Sequence, residues 1–226
     1  MRQLLRNNRI FITLCLMFII TLGTALLCIP KGELHLLLCD HHTPFGDIFY
    51  RYYTHVAEWL PYVICILILL FCRVGDAAFA ASCQALSALT TQVIKHIVIA
   101  PRPLTWFELN YPEIQLPLVE GVQMNRWLSF PSGHTTSFFA LFFAICVIAS
   151  QSSTMKSHKS LNALLQLTLF VLAALGGYSR IYLSQHFALD VFGGTCVGGI
   201  ITLVCYAIFH VYEDKKWYNY RLLAKK

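Results

Sequence analysis

Six long apolar segments dominate this chain of 226 residues. The hydrocarbon core of a bilayer is about 30 Å thick, and a helix needs about 20 apolar residues to cross it. The segments approach or exceed that length: Ile10–Ile29, Val56–Phe71, Ala77–Ala100, Ser132–Ala149, Leu161–Leu183 and Asp190–Val211. The chain is 57% hydrophobic and 12% charged, which is more apolar surface than one globular core buries. The sequence therefore predicts an all-α polytopic membrane protein, a single domain over residues 1–226 formed by a bundle of six transmembrane helices.

The distribution of Lys and Arg predicts the orientation, because cytoplasmic loops carry an excess of both. With both termini cytoplasmic, most of the 17 basic residues lie on the cytoplasmic side: Arg2, Arg6, Arg9, Arg73, Lys156, Lys159, Lys215, Lys216, Arg221, Lys225 and Lys226. The net charge of +6 then reflects topology, and no nucleic-acid partner is expected. The tail Glu213–Lys226 mixes basic and aromatic residues, which fits an anionic membrane surface or a solvated tail.

Two loops on the predicted outer face are long enough to have structure of their own. The first, Pro30–His55, contains an aromatic-rich run from Phe45 to Tyr53 that favours a short interfacial helix. The second is Pro101–Pro131. Within the sixth segment Gly194 and Gly198 form a small face that favours close packing against another helix.

Ionisable residues at the ends of membrane helices are costly to place, so their positions are informative. In this topology the third and fifth helices run outward, whereas the fourth and sixth run inward. Eight polar or small residues, distant in sequence, therefore converge on the outer face: Lys95, Arg102, Ser132, Gly133, His134, Arg180, His186 and Asp190.

The three cations of this set favour an anion site. Lys95 and Arg102 are seven residues apart, nearly two helical turns, so both can point the same way if the helix persists. Pro101 and Pro103 then end the helix. Either cation alone is typical of an interfacial residue that extends to water. Arg180 adds a donor that can bind two phosphate oxygens at once.

The remaining residues favour oxyanion binding and acid–base chemistry. Ser132 is placed to cap the fourth helix, whose free N–H groups carry partial positive charge, and Gly133 lets a ligand approach the backbone. Asp190 follows His186 by four residues, so the two share one helical face if the helix begins by then. The carboxylate can hold one imidazole nitrogen and leave the other as a nucleophile or base.

Three motifs together resemble the signature of the type 2 phosphatidic acid phosphatase superfamily. They are K-x6-R-P from Lys95, P-S-G-H from Pro131 and S-R-x5-H-x3-D from Ser179. The resemblance implies that His186 attacks phosphorus, Asp190 orients it and His134 protonates the leaving oxygen. It implies that the phosphate oxygens are held by Lys95, Arg102, Ser132, Gly133 and Arg180. These cations and the helix N-terminus can neutralise the phosphoryl group, so no metal or other cofactor is expected.

Other chemistry finds less support in the sequence. His96 and the loop histidines His41, His42 and His55 match no standard metal-ligand spacing. Nine cysteines include no C-x-x-C pair, although Cys28 and Cys39 flank the first outer loop and remain candidates for a disulfide.

Alternative functions remain at this point. A transporter would place its charges near the bilayer midplane, and six membrane helices disfavour the soluble vanadium haloperoxidases of the same superfamily. A lipid phosphotransferase stays open.

The substrate and the location are inferred from sequence features outside the three motifs. Short inner loops and the absence of an N-x-S/T sequence favour a bacterial inner-membrane enzyme with its active site facing the periplasm. Members of this type act on lipid A phosphates, undecaprenyl diphosphate, phosphatidylglycerol phosphate or phosphatidic acid. We favour lipid A. The expected partners are the lipid phosphate and membrane lipids, with no obligate protein partner.

Overall fold

The computed structural model describes residues 1–222, and over these residues the chain is helical without β-strands. The α-helices, in chain order, are α1 (Arg2–Asn7), α2 (Arg9–Cys28), α3 (Lys31–Cys39), α4 (Pro44–Tyr53), α5 (Trp59–Cys72), α6 (Val74–Val98), α7 (Pro103–Asn110), α8 (Gly133–Ser150), α9 (Ser153–Ser157), α10 (Lys159–Tyr182) and α11 (Ala188–Phe209). Short 3₁₀ turns follow α4 and α11. Lys225 and Lys226, counted above for the topology, lie outside the described residues.

The predicted set of spanning segments is confirmed. Five spans are long and apolar enough to cross a membrane, namely α2, α6 continued by α7, α8, α10 and α11 with its 3₁₀ turn. The bent pair formed by α4 with its 3₁₀ turn and by α5 raises the number to six. Leu16, Met17 and Ile20 of α2 each expose more than half of their surface, as expected for side chains that face lipid.

The predicted start of the second segment is wrong. Val56 lies in the 3₁₀ turn, Glu58 is extended, and α5 begins only at Trp59, with a bend of 52° between the two parts. Pro61 explains this start, because proline lacks an N–H group and is tolerated only in the first turn of a helix. The helix that contains Pro61 must therefore begin just before it.

Helix α8 forms the centre of the bundle and packs against α6, α10 and α11. Its four phenylalanines, Phe138, Phe139, Phe142 and Phe143, are all buried. A helix that is apolar and buried on all sides belongs in a core, whereas α2 is apolar and mostly exposed. Since α8 carries P-S-G-H at its N-terminus, the best-packed helix of the protein positions this motif.

Helix α11 approaches α8 closely through the predicted small face. A Cβ atom added at Gly194 would lie 2.7 Å from the Ser132 carbonyl oxygen, and one added at Gly198 would lie 2.6 Å from that of Thr136. Real Cβ atoms do not come this near to backbone oxygens, so only glycine fits. The prediction of helix packing through these glycines is confirmed.

We expect Gly198→Ala to lower the free energy of unfolding by about 1–3 kcal/mol, the usual cost of overpacking a tight core. Gly199→Ala is the matched control, because a Cβ there meets no atom within 4 Å. The measurement is denaturant unfolding in mixed micelles. Equal stability of the two variants would contradict the close approach of α8 and α11.

The segment predicted as the first outer loop, Pro30–His55, forms two helices, α3 and α4, so the helix predicted within Phe45–Tyr53 is confirmed. Thr43 caps α4 by accepting from the Gly46 N–H at 3.0 Å. The loop is attached to α10 through Tyr182, whose hydroxyl donates to the Asp47 carboxylate at 2.7 Å. Cys28 is exposed and Cys39 is buried, and neither forms a disulfide within residues 1–222, which contradicts their candidate pairing.

The described part of the tail, up to residue 222, packs against the helical bundle. The N–H groups of Val74 and Gly75, at the start of α6, donate to the carbonyl oxygens of Tyr220 and Tyr218 at 3.0 and 2.9 Å. Tyr218 is buried beneath the Arg73 guanidinium, which lies 5.0 Å from its ring centroid. The described part of the tail therefore caps a helix, which neither expectation for it included.

Candidate active site

The predicted site residues meet at one end of the bundle. They come from the C-terminal ends of α6 and α10, the loops that follow these helices, and the first turns of α8 and α11. The Ser132 N–H donates to the Asp190 carbonyl oxygen at 3.0 Å, which joins the starts of α8 and α11. Helices α8 and α11 therefore begin side by side, and the polar residues around their first turns form one cluster.

His186 and Asp190 form a buried pair. The Nδ1 atom of His186 lies 3.4 Å from Oδ2 of Asp190, and both side chains are almost fully buried. The same Oδ2 accepts from the Ser129 hydroxyl at 2.5 Å and from the Phe187 N–H at 2.9 Å. Asp190 thus holds one ring nitrogen of His186 and leaves the other for chemistry.

The predicted contact is present, but the condition for a shared helical face, a helix that begins by His186, is not met. Helix α11 begins at Ala188, so His186 precedes it and shares no helical face with Asp190. Phe187 is the N-cap, and Asp190 at the third helical position folds back to accept its N–H. A tight turn that includes Ser184 at φ 49° then returns His186 to the carboxylate.

His186 is held neutral at ordinary pH. Complete burial lowers the pKa of its imidazole well below the usual value, and the nearby charges of Arg102, Arg180 and Lys95 lower it further. A neutral imidazole has a ring nitrogen with a free lone pair, which a nucleophile requires.

The start of α8 confirms the predicted cap. The Ser132 hydroxyl oxygen accepts from the Thr135 N–H at 3.3 Å and from the Thr135 hydroxyl at 2.9 Å. Its own proton stays available to an anion. His134 is half-buried in the first turn, and among residues 1–222 no protein group forms a hydrogen bond to its ring. Gly133 leaves the backbone accessible, since a Cβ there would meet only the Thr91 methyl group at 3.6 Å.

The three cations are held by neutral groups. Lys95 Nζ donates to the carbonyl oxygens of Leu128 and Ser129. Arg102 donates to the Gln185 side-chain oxygen at 3.0 Å, and Arg180 donates to the Thr54 hydroxyl at 2.5 Å.

Within residues 1–222, Lys95, Arg102 and Arg180 form no ion pair with a carboxylate. Lys95 and Arg180 are buried, and the Nε atom of Arg180 has no hydrogen-bond partner. Burying a cation without an anion is strongly unfavourable. The arrangement is therefore built to receive an anion.

Lys95 and Arg102 do not share a helix, so the condition under which both would point the same way along it is not met. Helix α6 ends at Val98, Ile99 is left-handed at φ 42°, and Arg102 is the extended N-cap of α7. The loop 126–129 runs beside this linker, with the Ser129 N–H donating to the Ala100 carbonyl oxygen at 3.0 Å. Carbonyl oxygens of that loop accept hydrogen bonds from the side chains of both Lys95 and Arg102 and so hold both cations at the site.

Several supporting residues escaped the sequence analysis. Ser129 holds Asp190, Gln185 holds Arg102, and Thr54 holds Arg180. The only sequence signal is that Ser129 lies two residues before P-S-G-H and that Gln185 occupies one of the unspecified positions of S-R-x5-H-x3-D. Thr54 comes from the 3₁₀ turn between α4 and α5 and carried no signal.

Helix α3 forms a further layer behind His186. His35 is fully buried, with Nε2 at 3.4 Å from the Ser184 hydroxyl, and burial lowers its pKa to about 4. The Lys31 ammonium lies 3.9 Å from the ring centroid of Phe187. Both contacts brace the turn that carries His186.

The histidines considered as metal ligands are dispersed. His42 pairs with Asp47 at 2.9 Å, and His55 pairs with Glu58 at 2.6 Å. His96 contacts the Gln92 carbonyl oxygen at 2.8 Å. Over residues 1–222, no three His, Cys, Asp or Glu side chains are grouped so that they could hold an ion. Metal independence of the reaction stays a prediction.

Comparison with known proteins identifies a matching family and a relative. The PAP2 superfamily model matches residues 76–213, which include all three motifs. The lipid A 4'-phosphatase of Porphyromonas gingivalis is 25% identical over 191 residues, covering 83% of this chain and 75% of the relative.

Two solved structures share the fold. LpxE of Aquifex aeolicus has a TM-score of 0.62 and 23% identity, covering 77% of this chain and 93% of LpxE. A transmembrane PAP2-type phosphatidylglycerolphosphate phosphatase of Bacillus subtilis has a TM-score of 0.64 and 20% identity, with coverages of 91% and 98%.

Proposed function

We propose that this chain, which belongs to the PAP2 superfamily, is an integral membrane phosphatase that removes a phosphate from lipid A through a phosphohistidine intermediate. The observation that carries the proposal is the convergence of three cations without carboxylate partners around the pair of His186 and Asp190. Phosphoryl transfer needs this arrangement, because charge spreads over the equatorial oxygens of the transferred group.

The reaction proceeds in two steps. In the first, the free ring nitrogen of His186 attacks phosphorus, the bond from phosphorus to the lipid oxygen breaks, and His134, which the negative charge of the bound phosphate keeps protonated, gives its proton to that oxygen. In the second, His134 takes a proton from water, the resulting hydroxide attacks phosphorus, and the bond to His186 breaks to release inorganic phosphate. Asp190 orients His186 in both steps.

The remaining groups bind the phosphate oxygens. Lys95, Arg102 and Arg180 supply positive charge, and Ser132 with the N–H groups at the start of α8 supplies hydrogen-bond donors. These donors are fixed before substrate arrives, so little reorganisation is needed as charge develops. We infer that they make a metal unnecessary.

Lipid A is the proposed substrate, with the 4' phosphate as the position removed, because the curated relative is named for that activity. The test is phosphate release by the purified protein, with and without EDTA, from lipid A that carries both phosphates, undecaprenyl diphosphate, phosphatidylglycerol phosphate and phosphatidic acid. We expect the fastest release from lipid A, unchanged by EDTA, with the 1-phosphate species as product by mass spectrometry. Faster release from another of these lipids would contradict the substrate assignment, and loss with EDTA that a divalent ion restores would contradict the metal-free mechanism.

We further propose that the site faces the periplasm of a bacterial inner membrane, on the basis of the Lys and Arg distribution. Alkaline phosphatase fused near Gln115, in the loop between α7 and α8, should be active, because that enzyme folds only outside the cytoplasm. A fusion after Ser150, at the other end of α8, should be inactive. The reverse pattern would place the site in the cytoplasm.

A further inference from the structure

A second polar cavity lies at the far end of α8 from the active site. Its volume is about 650 Å³, and it touches Ser150, the last residue of α8, whereas His134 lies in the first turn. The 18 residues of α8 span about 27 Å, so the cavity and the active site are separate. The cavity is lined by α1, α9 and the beginnings of α2 and α10.

Buried hydrogen bonds fix one wall of this cavity. The Gln166 side-chain oxygen accepts from the N–H groups of Ile10 and Phe11 at 3.0 and 3.2 Å, which satisfies the first turn of α2. The Gln166 amide also donates to the Asn7 carbonyl oxygen at 2.8 Å, and Asn162 donates to the same oxygen at 3.2 Å. The junction of α1 and α2 is therefore locked onto α10, and the cavity does not depend on a ligand for its shape.

The charge of the cavity has one sign. Among the residues described, no acidic side chain lines the cavity. Four cationic side chains line it: Arg6, Arg9, Lys156 and Lys159. Within residues 1–222 none of the four forms an ion pair. All four side chains are exposed, so water and salt screen their mutual repulsion, and an anion held among them would relieve what remains. The volume lies within the usual range for small-molecule sites.

The position of the cavity indicates where such an anion would come from. The lining also includes the apolar residues Ile10, Met155 and Ala163, and it opens at the ends of two membrane spans. Farther along α2 and α10, Leu16 and Leu164 expose 54% and 60% of their surface. A lipid whose head group entered the cavity would place its acyl chains along these exposed side chains. Basic pockets between membrane helices are suited to anionic head groups.

We propose that this cavity binds the phosphodiester head group of an anionic glycerophospholipid, with the acyl chains lying along α2 and α10. Free phosphate offers the same anionic oxygens but no acyl chains, so it should bind far more weakly. The site is independent of the phosphatase reaction. Binding would hold α1 to α10 at the membrane surface.

The test is a native mass spectrometry titration of the full chain in neutral detergent. The probes are dioleoylphosphatidylglycerol, dioleoylphosphatidylcholine and inorganic phosphate. We expect the double variant R6Q/K159Q to bind phosphatidylglycerol roughly 25-fold more weakly, at about fivefold for each cation. The matched control K215Q/K216Q removes the same charge from exposed residues outside the cavity, and its affinity should change by less than about twofold.

Several results would overturn the proposal. Equal binding of the two lipids, equal losses in the two double variants, or displacement of the lipid by phosphate at a similar concentration would overturn it. A loss in Arg102→Gln with none in R6Q/K159Q would assign the lipid to the active site and would also overturn it. Thermal unfolding without lipid should be the same for R6Q/K159Q and the unaltered chain. If R6Q/K159Q fails to fold, R9Q/K156Q tests the same cavity from the other two cations.

Discussion

Replacing His186 with alanine should abolish phosphate release and leave no covalent phosphoenzyme. Asp190 holds its Nδ1 atom, and burial together with the surrounding cations lowers the pKa of its imidazole, so we propose it as the neutral imidazole that attacks phosphorus. Loss of a nucleophile removes the whole covalent route. We expect turnover to fall by roughly 10⁴-fold or more.

The measurement is labelling with a ³²P substrate followed by rapid quenching in acid or base. Phosphohistidine is labile in acid and stable in base, which separates it from a phosphoserine. His96→Ala is the matched control, because His96 is exposed, adjoins Lys95, and within residues 1–222 its ring hydrogen-bonds only to the Gln92 carbonyl oxygen. Label retained in His186→Ala would show that another group is the nucleophile, and lost label in His96→Ala would point to a general disturbance of α6.

Replacing His134 with alanine should slow the hydrolysis of a lipid phosphate by about 10²–10⁴-fold, the usual contribution of a positioned proton donor. The lipid alkoxide is a poor leaving group and needs the proton. An aryl phosphate leaves without it. With an aryl substrate His134→Ala should therefore still form phosphohistidine, but the intermediate should persist because the base that activates water is missing.

Accumulated phosphoenzyme is the expected signature of His134→Ala. A quenched-flow time course with aryl phosphate should show an initial burst of the aryl alcohol equal to the amount of enzyme, followed by slow release of phosphate. The unaltered chain should show less labelled intermediate at the same times. Rapid phosphate release from His134→Ala without accumulated label would assign the proton transfers to another residue.

These two predictions depend on contacts that the motifs do not contain. Ser129 donates to the carboxylate that orients His186, and the Leu128 and Ser129 carbonyl oxygens hold Lys95. The loop before α8 thus holds Asp190, which orients the proposed nucleophile, and Lys95, a proposed phosphate-binding cation. Thr54 and Gln185 do the same for the other two cations.

The apolar segments by themselves determined the helical membrane fold. In a bilayer the backbone must satisfy its own hydrogen bonds, so a stretch of about 20 apolar residues has one stable spanning form available, the helix. The motifs at the segment ends likewise determined which residues meet, because alternating helix directions bring every second end to the same face. Proline at position 61 shifted one boundary, since its missing N–H had to fall in a first turn.

Tertiary structure alone decided how the meeting residues are held. Lys95 and Arg102 would point the same way along a helix only if it persisted between them, and His186 and Asp190 would share a helical face only if their helix began by His186. In the first pair the helix ends between the partners, and in the second it begins between them. Local spacing predicts side-chain direction only while the backbone stays helical. Where it turns, direction is set by carbonyl oxygens and hydroxyl groups from distant loops, and the energy of these contacts depends on three-dimensional proximity that the sequence does not display.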